Sequence, residues 1–170
     1  MIAHTHTRAL AAALMFAVAG SLFVAQPAHA GLNDEPGSRP DPIVGTWLTT
    51  VTPDGPDAPP PFPQLLTFNE GGTLMQSAAG PPIPALGNPG HGAWKRVGKH
   101  TIATTFAQLT FDETLQQNGS LKVSTLVTLH EQTHTITSVN QATIYDLDGN
   151  EIVTLTATET GRRLFVQRPH

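Results

Sequence analysis

The sequence predicts an all-β protein, an up-and-down antiparallel barrel of about eight strands. Three observations carry this expectation. Past residue 41 no stretch sustains an apolar repeat at helical spacing, and Thr is abundant where helix formers would be expected. Short runs rich in Thr, Val, Ile and Phe recur between turns that contain Gly, Asn and Asp. Most connections between these runs are short, so strands adjacent in sequence pair in space. Closing such a meander removes its two exposed edges. A two-sheet sandwich is the rival architecture.

The segment 1–30 is expected to be a signal peptide. Arg8 precedes an apolar run over 9–24, and Ala28-His29-Ala30 supplies the small-x-small cleavage pattern. Gly31 follows that site where a lipid-anchored protein would carry Cys, and no later stretch is apolar enough to span a membrane, so the expectation is export to the periplasm or beyond. The polar stretch 31–41, with Pro36, Gly37 and Pro40, reads as a flexible N-terminal arm. The barrel is expected over 42–166 as one domain, followed by a short tail, 167–170. The sequence contains no Cys, so the fold must hold without disulfides. Nine Lys and Arg stand against thirteen Asp and Glu, and loss of Arg8 with the signal makes the net charge −5. No basic cluster appears, which argues against a nucleic-acid or anionic-membrane partner. Oligomeric state leaves no mark in the sequence.

The strands follow in order. The first, 43–51, contains Gly45-Thr46-Trp47. A proline-dense loop over 52–63 cannot hold a central strand or a helix. The runs 64–68 and 73–77 flank Asn69-Glu70-Gly71-Gly72, whose glycines suit a hairpin turn. A second loop, 78–90, carries Pro81, Pro82, Pro84 and Pro89. Strands at 91–96 and 101–111 are joined by Val97-Gly98-Lys99. A polar connection over 112–119 ends in Asn118-Gly119, read as a turn. The strand 120–129 alternates most clearly: Leu121, Val123, Thr125, Val127 and Leu129 share one face, with Leu126 the apolar exception on the other. A strand at 134–145 leads into the turn Asp146-Leu147-Asp148-Gly149-Asn150. The last strand, 152–158, is expected to continue to about 166 through a kink or bulge at Gly161.

Several pieces in this order resemble the calycin group, lipocalin-like proteins in particular, and a family of small exported bacterial lipocalin-like proteins. They are Gly45-Thr46-Trp47, Leu66-Thr67-Phe68-Asn69, Gly90-His91-Gly92-Ala93-Trp94, Leu121-Lys122-Val123, Tyr145-Asp146-Leu147-Asp148-Gly149-Asn150 and Thr158-Glu159-Thr160-Gly161-Arg162. The resemblance implies that Trp47, preceded by Gly45, plugs one end of the barrel and that Arg162 or Arg163 lies over it as a cation–π cover. Cys is absent, and nothing after Arg163 resembles the long C-terminal helix of larger lipocalins.

A meander sorts its loops by parity. Both proline-rich loops, the 112–119 connection and the Asp146–Asn150 turn fall at one end, and Trp47, Arg162 and Arg163 fall at the other. The first end is therefore the expected mouth. Phe62, Ile83 and Leu86 are the apolar residues on its lids, and Trp94, Phe106 and Phe111 are aromatic candidates for the interior. Small residues on the strands (Ala103, Thr104, Thr105, Ala107, Thr154, Thr156, Ala157) fill less volume than Leu or Phe and favour a cavity.

The sequence contains no catalytic constellation. His130-Glu131-Gln132-Thr133-His134 matches the zinc-protease pattern, but that chemistry needs both His one helical turn apart. Here the five residues join two Thr- and Val-rich strands and read as a hairpin turn. His91, His100, His130 and His134 read as exposed turn histidines, so no metal or other cofactor is expected. The Asp146–Asn150 turn lacks the further ligands of a calcium loop. No Cys nucleophile, Gly-x-Ser-x-Gly elbow or phosphate loop is present. The leading expectation is an exported barrel that binds a small apolar or amphipathic molecule without chemistry. A barrel isomerase or cyclase is the alternative if polar groups such as Gln108, Asn140 or Gln141 point inward. A structural or protein-interaction barrel is the alternative if the core is filled.

Overall fold

A computed structural model describes residues 39–78 and 88–169. Eight strands follow one another: β1 (Gly45–Pro53), β2 (Phe62–Phe68), β3 (Thr73–Ala78), β4 (Gly90–Arg96), β5 (Thr101–Phe111), β6 (Gln117–His130), β7 (Thr135–Tyr145) and β8 (Glu151–Arg163). Each pairs antiparallel with the next, and β8 pairs back onto β1 from Trp47↔Arg163 to Pro53↔Ala157, so the sheet closes into a barrel. The sandwich is thereby excluded. The segments 1–38 and 79–87, which hold the expected signal peptide, most of the arm and the lid residues Ile83 and Leu86, lie outside the described residues.

Alternation places the side chains. Along β6, Val123, Thr125, Val127 and Leu129 are buried, while Lys122, Ser124, Leu126, Thr128 and His130 are exposed. Inward residues of all eight strands then divide the interior into two levels. At the end where β1 begins, Trp47, Phe68, Leu74, Ile102, Val127, Leu129 and Ile136 form a buried apolar plug with Ile43, which lies just before β1. Burying each large side chain contributes roughly 1.5–3 kcal/mol. Above the plug the interior turns polar: Thr49, Gln64, Gln76, Thr104, Gln108, Thr125, Ser138, Asn140 and Glu159 are all buried.

Turn chemistry accounts for the connections. Asp146 accepts from the Asn150 backbone N–H (2.8 Å) and from Asn150 Nδ2 (2.9 Å), and Gly149 supplies a φ of 83°. These bonds, the side-chain one foremost, hold the Asp146 carboxyl below its ordinary value. Asp112 does the same for the β5–β6 turn, accepting from the Thr114 hydroxyl (2.7 Å) and from the Thr114 and Gln116 backbone N–H groups.

Four details differ from the sequence expectation. Asn118-Gly119 lies inside β6, because the turn is made earlier, at Asp112–Gln116, with Leu115 at positive φ. The register shifts are at Thr110/Phe111 and Ile144/Tyr145, and Gly161 sits in unbroken ladder opposite Ile136 and Thr49. Its small size is needed because a Cβ there would collide with the Thr49 side chain. Pro53 and Pro63 lie within strands, but only at the last residue of β1 and near the start of β2. Asp41, at the end of the expected mobile arm, is tied to Arg96 by bonds of 2.5 and 2.6 Å and accepts from Ile43 N–H (2.9 Å).

Candidate functional site

The polar level of the barrel faces a cavity of about 170 Å³ on the side of the β1–β2 connection. Its walls are apolar, with Val51, Phe106, Leu121, Val123, Ile144 and Leu155 among the lining. Gln64, Gln76, Gln108, Asn140 and Glu159 supply polar groups to the same surface. Pro59 and Phe62, from the first proline-rich loop and the start of β2, lie at the rim. Among the described residues the lining contains one ionisable side chain, Glu159, and no cation.

Register explains why these groups meet. Glu159 on β8 stands opposite Val51 on β1 and Ser138 on β7, in phase with Gly161 and Arg163 on the inward face. Gln64 stands opposite Thr49, and Asn140 opposite Thr125 and Ala157. Glu159 is 3% exposed, and its carboxyl accepts three hydrogen bonds. Gln64 Nε2 donates to Oε1 at 2.8 Å, while Ser138 Oγ (3.0 Å) and Asn140 Nδ2 (3.2 Å) donate to Oε2. All three donors are neutral.

The network extends one residue further, with its polarity fixed by the carboxyl. Because Gln64 turns its Nε2 to Glu159, its Oε1 is left to accept, and Gln76 Nε2 donates to it at 2.8 Å. Gln76 Oε1 therefore faces away from the chain of bonds, and it has no hydrogen-bond partner among the described residues although Gln76 is only 2% exposed. Gly90 is required beside that oxygen, since a Cβ there would approach it to 2.8 Å and the Phe106 ring to 2.7 Å. The arrangement presents acceptors to the cavity on a rigid frame of strands.

The sequence-predicted residues are distributed as follows. Phe62 and Phe106 line the cavity, as do Thr104, Thr156 and Ala157 among the small residues. Ala103, Thr105, Ala107 and Thr154 are not in the lining. Trp94 is placed at the plugged end: β4 enters near the cavity at Gly90, so four residues on it has passed to the other side. There its ring meets Phe68 edge-on at 6.0 Å and its Nε1 donates to Asn69 O (2.9 Å). Phe111 is half-buried beyond the Thr110/Phe111 register shift and is not in the lining. Gln108 and Asn140 point inward, whereas Gln141 is exposed. Gln64, Gln76, Ser138 and Glu159 were not singled out by sequence reasoning. The signal that would have found Glu159 is phase: on one strand it alternates with Gly161 and Arg163.

At the plugged end Trp47 is 0% exposed, and its Nε1 donates to Ile43 O at 2.9 Å. Of the two candidate arginines it is Arg163 whose guanidinium lies over the indole, 5.3 Å from the ring centroid, while Arg162 points outward. Arg163 also donates to Pro42 O (2.8 Å) and Val44 O. Gly45 has a φ of 133°, and a side chain there would meet the Arg163 guanidinium at 2.6 Å.

The five residues His130–His134 join β6 to β7 as a turn, with His134 at a φ of 53°. His130 Nε2 contacts Thr137 Oγ1 (3.2 Å), His134 packs edge-on against Phe165, and His100 Nδ1 lies 3.8 Å from Glu131. The two histidines have different neighbours and do not converge. Among the described residues no three His, Cys, Asp or Glu side chains are grouped to hold a metal ion.

No protein-family model matches the sequence, and no curated protein is similar to it. Among solved structures, one described as the "Crystal Structure of a putative beta-lactamase from Burkholderia vietnamiensis" is 15% identical. The match covers 73% of this chain and 99% of that chain at a TM-score of 0.40, a likeness too slight to bear on function.

Proposed function

We propose that this barrel is lipocalin-like in function as well as shape: an exported carrier that encloses one small, mainly apolar molecule and performs no chemistry on it. The observation that carries the reading is the cavity of about 170 Å³, apolar in its walls and polar on one side. Cavities of about 150 Å³ lined by apolar side chains hold a benzene-sized guest. The occupant is therefore the size of a single substituted ring, well short of a long lipid. The cavity also sets this reading above a purely structural, filled barrel. Export rests on the expected signal peptide over 1–30. Among the described residues no helix is long and apolar enough to cross a membrane.

Native mass spectrometry of protein purified from its own host, followed by extraction, tests the carrier. A bound compound of ring size is the expected result. The reading fails if the protein is repeatedly empty and toluene shifts no NMR resonance of Phe106, Val123 or Ile144. Intrinsic fluorescence is a poor reporter here, because Trp47 and Trp94 both belong to the plugged end.

A second reading, a small barrel isomerase or cyclase, is favoured by one observation: Glu159 is a buried carboxyl within reach of an enclosed molecule. Under it, wild-type protein releases a product, whereas Glu159→Gln retains an isomer of the same mass with a different retention time. Recovery of one identical compound from both proteins would remove this reading.

A further inference from the structure

The hydrogen-bond polarity of the cavity specifies its guest more narrowly than its volume does. Glu159 is 3% exposed, and all three of its hydrogen-bond donors are neutral: Gln64, Ser138 and Asn140. A carboxylate has about four acceptor positions, so it can take at least one further donor. No Lys, Arg or His among the described residues lines the cavity. Buried carboxylates ordinarily stand beside a positive charge, and this one has only dipoles.

Gln76 adds an independent observation. Its Oε1 is buried and without a hydrogen-bond partner among the described residues. Turning the amide over would not relieve this, because Gln76 Nε2 is required by Gln64 Oε1, whose own orientation is required by Glu159. The fixed relay therefore ends in a buried acceptor packed beside Gly90 and the Phe106 ring, and Gln76 and Phe106 both line the cavity. A buried acceptor left unmade carries a cost that a donor-bearing guest removes.

From these two features we infer that the guest is a small apolar amine or protonated nitrogen heterocycle, its cationic N–H donors turned toward Glu159 and Gln76. This rests on the carrier reading and narrows it. A hydrocarbon guest would leave Gln76 Oε1 unmet and the further position on Glu159 unused. An ionised carboxylic acid would bring only acceptors to a site whose open positions are themselves acceptors. The apolar walls take the ring, and size limits the guest to about one ring with a short aminoalkyl arm.

Four probes of one shape separate the possibilities: benzylamine, benzyl alcohol, toluene and benzoate. They are titrated against the full-length mature protein at 0.15 M salt, so that general attraction of cations to an acidic protein is screened. Benzylamine is expected to bind about tenfold or more tighter than benzyl alcohol, because hydrogen bonds between charged groups are roughly twice as strong as neutral ones. Benzoate should bind weakest. Glu159→Gln should erase the advantage of benzylamine over benzyl alcohol. Should toluene and benzyl alcohol bind while benzylamine gains nothing over them, or should benzoate bind best, the amine inference is overturned and the carrier reading stands. Binding of none of the four overturns both. If Glu159→Gln fails to fold, the order of the four probes on the unmodified protein still decides.

Discussion

Trp47 is held from two sides, by the hydrogen bond from Nε1 to Ile43 O and by the Arg163 guanidinium over its face. Truncating it opens a void in the apolar plug while leaving the cavity lining intact. Trp47→Ala is expected to cost about 3–5 kcal/mol in urea unfolding, with toluene affinity unchanged in the fraction that remains folded. Asp41 makes a different kind of contribution. The side-chain hydrogen bonds from Arg96 hold its carboxyl below the ordinary value, against the opposing effect of burial. A lowered native value means that the pair stabilises the fold fully above the ordinary value of about 4 and loses that share as pH falls through the native one. Asp41→Asn should therefore lower stability by about 0.5–1 kcal/mol at pH 7. The gap to wild type should narrow in thermal unfolding as pH falls below the ordinary carboxyl value. Through the resemblance to lipocalin-like proteins Trp47 was legible as a plug, with Arg162 or Arg163 as its cover. Glu159 was not. A charged residue between two threonines reads as surface until the phase of the strand is known, and here phase is set by Arg163, four residues on.

At the scale of elements, alternation was the most readable signal. The inward set of β6 is the one its apolar period marks, and Leu126 lies outside despite its hydrophobicity. Ends were less readable, because Pro and Gly carry more than one meaning. Pro53 closes β1 and Pro63 follows the first residue of β2, Gly119 pairs with Thr110 at the β5–β6 register shift, and Gly161 lies within an unbroken ladder. β4 shows what a strand glycine is for. Gly92 faces Phe106 on β5, and a Cβ there would overlap the Thr105 carbonyl oxygen, which belongs to rigid backbone. Gly92→Ala is expected to destabilise the protein by about 1–3 kcal/mol, the usual range for overpacking. The shift of Phe106 should also weaken toluene binding. A substitution that left both quantities unchanged would show that β4 and β5 can separate freely. The β3–β4 connection at 79–87 lies outside the described residues, so the sequence alone speaks for Ile83 and Leu86.

For the whole molecule, seven of the eight strand pairings join neighbours in sequence, and the eighth joins β1 to β8. Meander order was legible from short connections. Closure was expected because an open sheet of this size would leave two unprotected edges. The interior was legible only in part, since small and threonine-rich strands signal space without stating its polarity. Such a topology should fold in milliseconds to seconds, and the pairing of greatest sequence separation should form late. Refolding from urea is expected to show β1–β8 amides gaining exchange protection after those of β5–β6 and β6–β7. Simultaneous protection of all ladders would contradict this order.

The β1–β8 seam has a further meaning for the cavity. Glu159, with its neighbours Val51 and Ala157, belongs to the two strands that this seam joins. The carboxyl proposed to recognise the guest thus lies on β8, the strand whose pairing with β1 seals the barrel. A chain whose β8 has not docked has neither a sealed wall nor this carboxyl, so under the carrier reading guest binding reports that the seam has closed.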